Sequence, residues 1–389
     1  MRRELLWSHA RLVLVVVAVV VAGVPAARAV ASAETPRLAH DHEPPRLAHD
    51  HELPRLTHDH ETPRLAHDRE LPLPAELEER VWFWVDVFTR YHLDEAIVHD
   101  RDHPENVLAV VPLATGSRAE LREIEERYRG LIAQLVKAAP RDRSRFLRPF
   151  QAPIDPRWIR AAQDRVRAQQ GQREVFANGV LRSRALLEAI RAELRDVSIP
   201  EAIAYLPHVE SSFDAEAISP AGAIGLWQLM PETARRYLRV DEEVDERLQP
   251  AKATRAAAAY LRTAHDALGS WPLAITAYNY GLNGTRRAVD ALGTRDLGTL
   301  IERHESPAFG FAVKNFYVQF LAAAHVAMNQ PYYFPEMRRW EVYVVRQGDT
   351  LWQIARRHGV TIDALRSENR GALADSRYLH LGQRLVISG

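Results

Sequence analysis

Residues 199–238 read IPEAIAYLPHVESSFDAEAISPAGAIGLWQLMPETARRYL, and this segment is the most informative part of the sequence. Ile203, Leu206 and Glu210 fall on one helical face, at positions i, i+3 and i+7. A carboxyl group that ends an apolar stripe is predicted to be shielded from water, which raises its pKa and suits a proton donor near neutral pH. A lone glutamate at a helix end more commonly faces water or pairs with an arginine, so the neighbouring residues have to decide.

Turn signals flank this glutamate on both sides. We predict that its helix begins at a capping box formed by Ser198 and Glu201, with Pro200 in the first turn. After the glutamate, residues 219–222 (SPAG) are typical of a turn, and Pro231 opens the next helix. Such a turn is expected to fold three side chains back over the acid: Ser219, Gln228 and Met230.

Three motifs in this region resemble a known family. They are Glu210-Ser211, the run 219–234 (SPAGAIGLWQLMPETA) and the later run 277–281 (AYNYG). Together they resemble the lytic transglycosylase (SLT) domain, whose fold is similar to goose-type lysozyme. The segments FWVDVFTRY and HDRDHPENV further upstream are similar to the membrane-bound lytic murein transglycosylase D group. The resemblance implies a mainly α fold with a lysozyme-like helical catalytic domain at residues 186–335.

The resemblance also implies roles for individual residues. Glu210 is expected to be the catalytic acid, and Ser219 and Gln228 are expected to hold that acid or the acetamido group of a sugar. Met230 would press on the sugar, and the floor of the site would be formed by Tyr278 and Asn279. An aromatic residue near the end of the domain is expected to bring a hydroxyl close to the acid. The register places Phe316 there, and Tyr317, one residue on, is our choice because it carries the hydroxyl.

The implied reaction is cleavage of the β-1,4 bond between N-acetylmuramic acid and N-acetylglucosamine in peptidoglycan, with a 1,6-anhydromuramoyl product. Glycoside hydrolysis normally uses two carboxylates. Asp214 and Glu216 lie nearby, but they follow Glu210 on a loop without an apolar setting, so neither is assigned a catalytic role. Two alternatives stay open: a peptidoglycan muramidase, which is a hydrolase, and a non-catalytic peptidoglycan-binding scaffold.

Composition excludes several other classes of protein. With 389 residues, 47% of them hydrophobic, the chain is long enough for two or three packed domains. Lys and Arg number 51, as do Asp and Glu, so the charge balance gives no argument for a nucleic-acid partner. The absence of cysteine excludes disulfides, thiolate metal sites and a lipid anchor on cysteine. We predict no cofactor, and peptidoglycan glycan strands as the partner.

The N-terminus is predicted to direct export. Residues 1–33 combine a basic start, an apolar run of about a dozen residues and small residues at the end, which is typical of a signal peptide. The apolar run is short for a bilayer, which needs about twenty residues, although a retained signal anchor stays possible as an alternative. We expect a periplasmic or envelope-associated protein.

Residues 34–74 repeat a nine-residue unit, first ETPRLAHDH, and are predicted to form a disordered linker because each copy has proline and few apolar residues. Each of the first three copies ends in an HDH triplet, which is an alternative zinc site with no fixed geometry. We predict no metal site. A third hypothesis makes this His-rich segment the function, as a metal reservoir or sensor.

Residues 75–185 are predicted to be a helical region that braces the catalytic domain, because apolar residues recur there at spacings of three to four. Within it, the cluster around His99, Asp100, Asp102 and His103 is predicted to be a solvated, salt-bridged loop rather than a metal site.

Residues 340–389 resemble a LysM module, a family that binds N-acetylglucosamine in peptidoglycan or chitin. Two short strands around two amphipathic helices predict a βααβ fold, with helix caps at Thr350 and Thr361. Position in the module implies that six residues line its glycan groove: Gly348, Asp349, Thr350, Leu379, His380 and Leu381. Four apolar residues are assigned to the core of the module: Leu351, Ile354, Ala355 and Leu365.

Overall fold

The computed structural model describes residues 62–65, 70–150, 161–335, 337, 340–369, 373 and 379–388. The signal peptide predicted for residues 1–33 and the repeats up to residue 61 lie outside this range. The described chain divides into two compact units. One contains Arg64–Tyr91 and Gln172–Pro335, and the other contains His92–Gly171 and Glu336–Gly389.

Helices dominate the described residues. In chain order they are α1 (Glu78–Thr89), α2 (Arg118–Lys137), α3 (Arg143–Leu147), α4 (Arg173–Ser183), α5 (Leu187–Asp196), α6 (Pro207–Glu210), α7 (Pro231–Ala234), α8 (Pro250–Leu268), α9 (Trp271–Tyr280), α10 (Leu282–Leu292), α11 (Leu297–Arg303), α12 (Phe311–Met328), α13 (Gln330–Tyr333), α14 (Leu351–His358) and α15 (Ile362–Glu368). Short 3-10 helices span Ala75–Leu77, Pro140–Asp142, Gln163–Arg165, Glu201–Tyr205 and Glu246–Leu248. The strands are β1 (Glu95–Asp100), β2 (Val107–Pro112), β3 (Val166–Gln170), β4 (Trp340–Val344) and β5 (Arg384–Ser388).

The first unit is built around α12, most of whose side chains are buried. Helices α1 and α9 pack on it, and α12 also contacts α6. The buried Trp84 indole of α1 donates a hydrogen bond to the Asn315 side-chain oxygen of α12 at 3.1 Å, so the contact between these helices includes a satisfied polar pair. Among the described residues, no helix combines the length and the apolar composition that a membrane span requires.

Helices α8 and α9 pack against each other. Gly269 ends α8 with φ +77°, a left-handed conformation that glycine adopts without strain. The Ser270 hydroxyl then caps α9 by accepting a hydrogen bond from the Leu273 amide. Small residues along α8, including Ala253, Ala257 and Ala264, are fully buried and allow its neighbours to approach closely.

Part of the predicted linker is packed against the first unit. Leu71 is 2% exposed and Leu65 is also buried, while the Pro72 carbonyl accepts a hydrogen bond from the Tyr317 hydroxyl. Apolar burial and a buried backbone acceptor are not features of a free tether. The predicted linker, residues 34–74, is therefore too long at its C-terminal end.

The prediction that residues 75–185 form a helical region is incomplete, because this range also contains three strands. Strands β1, β2 and β3 form an antiparallel sheet in the order β2-β1-β3. Ile97 pairs with Val110 on one side and with Gln169 on the other, and α2 packs against β3 and β1. Short β-branched runs such as Ile97-Val98 and Val110-Val111 favour strands, and this preference prevailed over the helical spacing.

Residues 340–388 form the predicted βααβ arrangement, with β4 and β5 antiparallel and Tyr343 opposite Leu385. Ile354, Ala355 and Leu365 are buried in its own core, and Leu351 packs against that core. Thr350 caps α14 in a complete capping box with Gln353, and Thr361 caps α15. The prediction of a mainly α protein with a small βααβ module is confirmed.

Candidate active site

Glu210 is the last residue of α6 and lies in an apolar setting. Its side chain is 5% exposed, and Ile203 and Leu206 on the same face are completely buried. Burial raises the pKa of the Glu210 carboxyl from the usual 4.5 to about 8. Within the described part of the chain, its carboxyl oxygens make no hydrogen bond or ion pair. The group is therefore protonated at neutral pH and held by packing alone.

The chain reaches Glu210 differently from the prediction. Residues Glu201–Tyr205 form a 3-10 helix, no side chain caps it, and Ser198 has φ +52°. The predicted capping box is wrong because a residue in this left-handed conformation does not present the extended geometry that an N-cap needs. Pro207 instead restarts the helix as α6.

A strained turn follows Glu210. Ser212 and Phe213 have φ values of +51° and +59°, a region that costs non-glycine residues about 1–2 kcal/mol each. The turn is closed by hydrogen bonds from the Phe213 amide to the Pro207 carbonyl at 3.0 Å and from the Ser211 hydroxyl to the Leu226 carbonyl at 2.8 Å. These contacts join the acid's helix to the turn that contains Gln228.

That turn is held by its own polar side chains. The Ser219 hydroxyl accepts a hydrogen bond from the Ala223 amide at 2.9 Å. Gln228 is buried, with φ +45°, and its amide nitrogen donates to the carbonyls of Gly225 at 2.9 Å and Ala217 at 3.2 Å. The Gln228 amide hydrogens are thus used to shape the loop, which leaves its side-chain oxygen as the group able to meet a ligand.

Arg247 is a supporting residue that the sequence reasoning missed. Its side chain is 4% exposed, and it donates to the carbonyls of Gly222 at 3.0 Å and Leu229 at 2.9 Å. Asp245 balances the charge with an ion pair at 2.6 Å. The only local indication in the sequence was an acidic residue two positions before Arg247, and this spacing is equally typical of exposed ion pairs.

Tyr278 lies beside the acid. Its hydroxyl donates to the Trp227 carbonyl at 2.7 Å, and its ring meets that of Tyr260 edge to face. Burial and the Glu210 charge together raise the pKa of Tyr278 well above its usual value. The hydroxyl therefore stays protonated and fixes the backbone between Trp227 and Gln228.

Asn279 and Met230 have less defined surroundings. The Asn279 side-chain oxygen is buried without a hydrogen-bond partner among the residues described, which leaves an acceptor available. Met230 is half-buried and precedes α7 as its N-cap residue. No hydrogen bond or ring contact ties either side chain to Glu210 in this part of the structure.

Tyr317 does not present its hydroxyl as the sequence reasoning expected. The hydroxyl donates to the Pro72 carbonyl at 2.8 Å, and no hydrogen bond joins Tyr317 to Glu210 in the described chain. Its neighbour Phe316 is buried as well. The difference arises because the segment around Pro72, which lies outside the family motif, provides the hydrogen-bond acceptor for Tyr317.

The structure places no second carboxyl group against Glu210 among the residues it describes. Asp214 and Glu216 are exposed, and the Asp214 carboxylate accepts a hydrogen bond from the Glu216 amide at 2.9 Å. Burial accounts for the raised Glu210 pKa, without a contribution from a neighbouring negative charge. The arrangement offers one proton donor and a shaped, largely neutral surround.

Two loops meet in the βααβ module where glycan binding was predicted. The Gly382 amide donates to the Val345 carbonyl at 2.9 Å, which places residues 379–383 beside residues 345–350. Leu381 is 75% exposed and His380 is also exposed, whereas Leu379 packs on the core of the module. The Asp349 carboxylate accepts hydrogen bonds from the Tyr343 hydroxyl and the Arg346 amide, both at 2.7 Å, so it braces the loop.

The cluster near His99 spans the end of strand β1 and the ion-paired loop that follows it. Asp100 is completely buried, pairs with Arg165 at 2.7 Å and accepts a hydrogen bond from the Asp102 amide. The expected salt bridge is present, but the prediction of a solvated loop is wrong for His99 and Asp100, which are completely buried in β1. The described residues contain no group of three or more His, Asp or Glu side chains arranged to hold a metal ion.

Comparisons with known proteins agree with these motifs. The family model described as "Transglycosylase SLT domain" matches residues 188–298, and the model described as "LysM domain" matches residues 343–388. The Escherichia coli K12 protein named "Membrane-bound lytic murein transglycosylase D" is 30% identical over 142 residues, which cover 35% of this chain and 31% of that protein.

A second relative is the "Putative tributyltin chloride resistance protein" of Alteromonas sp. strain M-1. It is 34% identical over 110 residues, covering 28% of this chain and 53% of that protein. The chain thus spans about a third to a half of the length of the curated relatives it matches. These matches identify the chain as one that carries an SLT transglycosylase domain followed by a LysM domain.

Proposed function

We propose that this protein is a peptidoglycan lytic transglycosylase in which Glu210 is the catalytic residue. The observation that carries the proposal is the burial of a single carboxyl group, with a pKa of about 8, inside the SLT domain. A protonated carboxyl at neutral pH is a general acid ready to act on a leaving oxygen. The relative named as a lytic murein transglycosylase supports the same substrate class.

In the proposed reaction the substrate itself supplies the stabilising group and the nucleophile. In the first step the Glu210 proton passes to the glycosidic oxygen, and the bond from that oxygen to C1 of N-acetylmuramic acid breaks. The 2-acetamido oxygen of the same sugar stabilises the electron-poor C1. In the second step the Glu210 carboxylate takes the proton of the muramoyl 6-hydroxyl, and that oxygen bonds to C1. Glu210 ends protonated, and the product carries a 1,6-anhydromuramoyl end.

Among the described residues, no second carboxyl group perturbs the pKa of Glu210, and this favours the transglycosylase route over direct hydrolysis. Retaining and inverting glycosidases normally place two carboxyl groups on either side of the bond, about 5–10 Å apart. Asp214 and Glu216 are exposed. A carboxyl group that must act first as acid and then as base gains from a pKa near the working pH.

The remaining site residues are proposed to bind the sugar. Ser219 and the Gln228 side-chain oxygen flank the turn next to the acid, Tyr278 fixes the backbone of that turn, and the unpartnered Asn279 oxygen is an acceptor for a sugar hydroxyl or amide. Met230 supplies apolar contact. In the LysM domain, the loops around Gly348–Thr350 and Leu379–Leu381 are proposed to hold a glycan strand.

We also propose that the protein works in the cell envelope after export directed by residues 1–33. The match to a protein named as membrane-bound supports an envelope location. The HDH repeats play no part in the proposed reaction.

The experiment that tests the enzymatic proposal compares wild type with Glu210→Gln on purified sacculi. We expect release of soluble fragments to fall by about 10²–10⁴-fold in the variant, since removal of a general acid has effects of that size. Binding to sacculi should be retained. Glu216→Gln is the matched control, because its carboxylate is exposed, and it should cleave normally. Equal activity of Glu210→Gln and wild type would reject Glu210, and binding without cleavage by wild type would favour a scaffold.

A further inference from the structure

The position of the Glu210 carboxyl depends on the backbone around it. Its oxygens make no hydrogen bond within the described structure, so no partner side chain fixes their direction. Two consecutive residues in left-handed conformation, Ser212 and Phe213, follow immediately after Ser211. A strained turn persists only where its surroundings hold it in place. Because the turn follows Glu210 directly, the contacts that hold the turn also fix the direction of the Glu210 side chain.

Arg182 on α4 is one of the residues that hold this strained turn. Its Nε and Nη2 groups both donate to the Ser212 carbonyl oxygen, at 2.9 Å and 2.6 Å. Two N–H groups of one planar guanidinium on a single oxygen restrict its position more than one bond would. Arg182 lies before residues 188–298, which the SLT family model matches. The motif of the family therefore gives no indication of this contact.

Helix α4 comes close enough for this contact because position 179 is glycine. A Cβ there would lie 3.0 Å from the Ser212 carbonyl oxygen and 3.2 Å from Nδ1 of His208. Both distances are shorter than ordinary van der Waals contact. A glycine inside a helix is otherwise unfavourable relative to alanine, so its presence fits a need for close approach.

His208 fills the space between α4 and the acid's helix. Its ring stacks on Phe176 with 4.9 Å between centroids and lies 4.4 Å from Phe213, and the side chain is 4% exposed. Neither ring nitrogen has a hydrogen-bond partner among the described residues. Burial, followed by the Arg182 charge, lowers the pKa of His208 to about 3, so the ring packs as a neutral aromatic group.

We infer that Arg182 is a positioning residue for Glu210: its paired hydrogen bonds to Ser212 hold the strained turn and thereby aim the carboxyl at the scissile bond. Gly179 and His208 support this contact by fixing the distance between α4 and α6. The inference rests on the proposed function, because it concerns the same acid. It adds a residue from outside the matched domain to the machinery of the reaction.

Three variants test this role against a matched control. Arg182→Gln removes the paired hydrogen bonds, Arg182→Lys keeps the charge but not the planar pair of N–H groups, and Gly179→Ala pushes α4 away from Ser212. The control is Arg184→Gln. Arg184 is two residues after Arg182 in the sequence, but it is exposed and its side chain contacts Gln330. All four are compared with wild type as the full chain.

The first readout is steady-state kinetics on soluble peptidoglycan fragments. We expect kcat of Arg182→Gln to fall about 10–100-fold with KM changed less than about twofold, since misplacement of a catalytic group by about 1 Å has effects of this size. Arg182→Lys and Gly179→Ala should lie between Arg182→Gln and wild type. Arg184→Gln should match wild type.

The second readout needs no substrate. The Glu210 carboxyl is titrated by ¹³C NMR, with its signal assigned by its loss in Glu210→Gln. Tyr278 is the titratable group that interacts with this carboxyl, and it is unchanged in all variants. We expect the midpoint to move toward lower pH in Arg182→Gln, because a relaxed turn admits water to the carboxyl.

A purely structural role for Arg182 predicts a different result. The melting temperature would fall, while kcat per folded molecule and the Glu210 midpoint would match wild type, and this outcome overturns the inference. If wild type fails to cleave peptidoglycan, the proposed function is wrong. The titration still shows whether Arg182 affects the environment of the Glu210 carboxyl.

Discussion

The Tyr278 hydroxyl and the Trp227 carbonyl oxygen are joined by a hydrogen bond of 2.7 Å, and this bond links α9 to the turn that faces Glu210. The indole nitrogen of Trp227 in turn donates to the Thr254 hydroxyl of α8 at 2.9 Å. One residue of the GLWQ motif thus contacts two helices that lie far along the chain. These two bonds satisfy buried polar groups of the motif with partners on α8 and α9.

Tyr278→Phe is expected to weaken both stability and catalysis. Loss of the hydroxyl leaves the Trp227 carbonyl without this donor, which should lower the free energy of unfolding by about 1–3 kcal/mol. We expect kcat to fall as well, because the backbone next to Gln228 is released. Tyr237→Phe is the control, since Tyr237 is 37% exposed. Equal loss in both variants, measured by urea unfolding, would contradict a specific role for the Tyr278 bond.

Two glycines in the same loop offer a second test. A Cβ at position 225 would lie 2.3 Å from the Arg247 carbonyl oxygen, whereas a Cβ at position 222 has no atom within 4 Å. Both glycines have positive φ, +77° and +88°. Gly222→Ala should therefore cost about 1 kcal/mol from backbone strain alone. Gly225→Ala should cost several kcal/mol more, because a backbone clash is added. Calorimetry measures the melting temperature of both variants. Equal melting temperatures would contradict the close approach of residue 225 to the Arg247 carbonyl.

The sequence predicted the setting of Glu210 better than the path that leads to it. The apolar spacing of Ile203 and Leu206 correctly placed the carboxyl on a buried face, because helical periodicity depends on local geometry. The capping box at Ser198 failed because Ser198 has φ +52° and Pro200 takes the N-cap position, with no side-chain hydrogen bond. Tyr317 was chosen because it carries a hydroxyl one residue beyond the position that the register gave, and its partner Pro72 is 245 residues away in sequence. Contacts of that range leave no local signal.

The three-stranded sheet was missed for a similar reason. Residues 157–169 contain apolar residues at helical spacing, yet the structure has a strand at Val166–Gln170 that pairs with Glu95–Asp100. Strand pairing depends on a partner about seventy residues away, which periodicity within one segment does not report. The LysM domain was predicted more completely because both strands and both helix caps lie within fifty residues.

The raised pKa of Glu210 should make stability depend on pH in a defined direction. The folded protein keeps the carboxyl protonated up to about pH 8, whereas the unfolded chain ionises it near 4.5. Folding therefore takes up a proton between these values, so the contribution is fully present below pH 4.5 and is lost as pH rises through 8. Wild type should lose about 1.4 kcal/mol per pH unit relative to Glu210→Gln in that range.

Urea unfolding of both proteins between pH 5 and 8 measures this difference. Asp86, whose pKa burial raises to about 6, titrates in both proteins, so its contribution cancels in the comparison. Parallel stability curves for wild type and Glu210→Gln would show that the carboxyl is not shielded in solution.

Leu381 offers a test of the LysM loops. Its side chain is 75% exposed at the tip of the loop that Gly382 joins to Val345, a position suited to contact with a sugar ring. Leu381→Ala in the Glu210→Gln background should weaken binding to sacculi by about tenfold, as expected for loss of roughly 1–2 kcal/mol of apolar contact. The melting temperature should not change. Leu292→Ala, a leucine 37% exposed in the first unit, is the control. Unchanged sedimentation with sacculi in Leu381→Ala would exclude this loop.

The central claim is that one shielded carboxyl group serves as acid and then as base, while the sugar provides the attacking oxygen. Mass spectrometry of sacculi digested by wild type in water enriched in heavy oxygen tests it most directly. We predict anhydromuramoyl ends without heavy oxygen, and no such products from Glu210→Gln. Reducing muramic ends that carry the heavy isotope would show that water attacks the sugar, and would contradict the account.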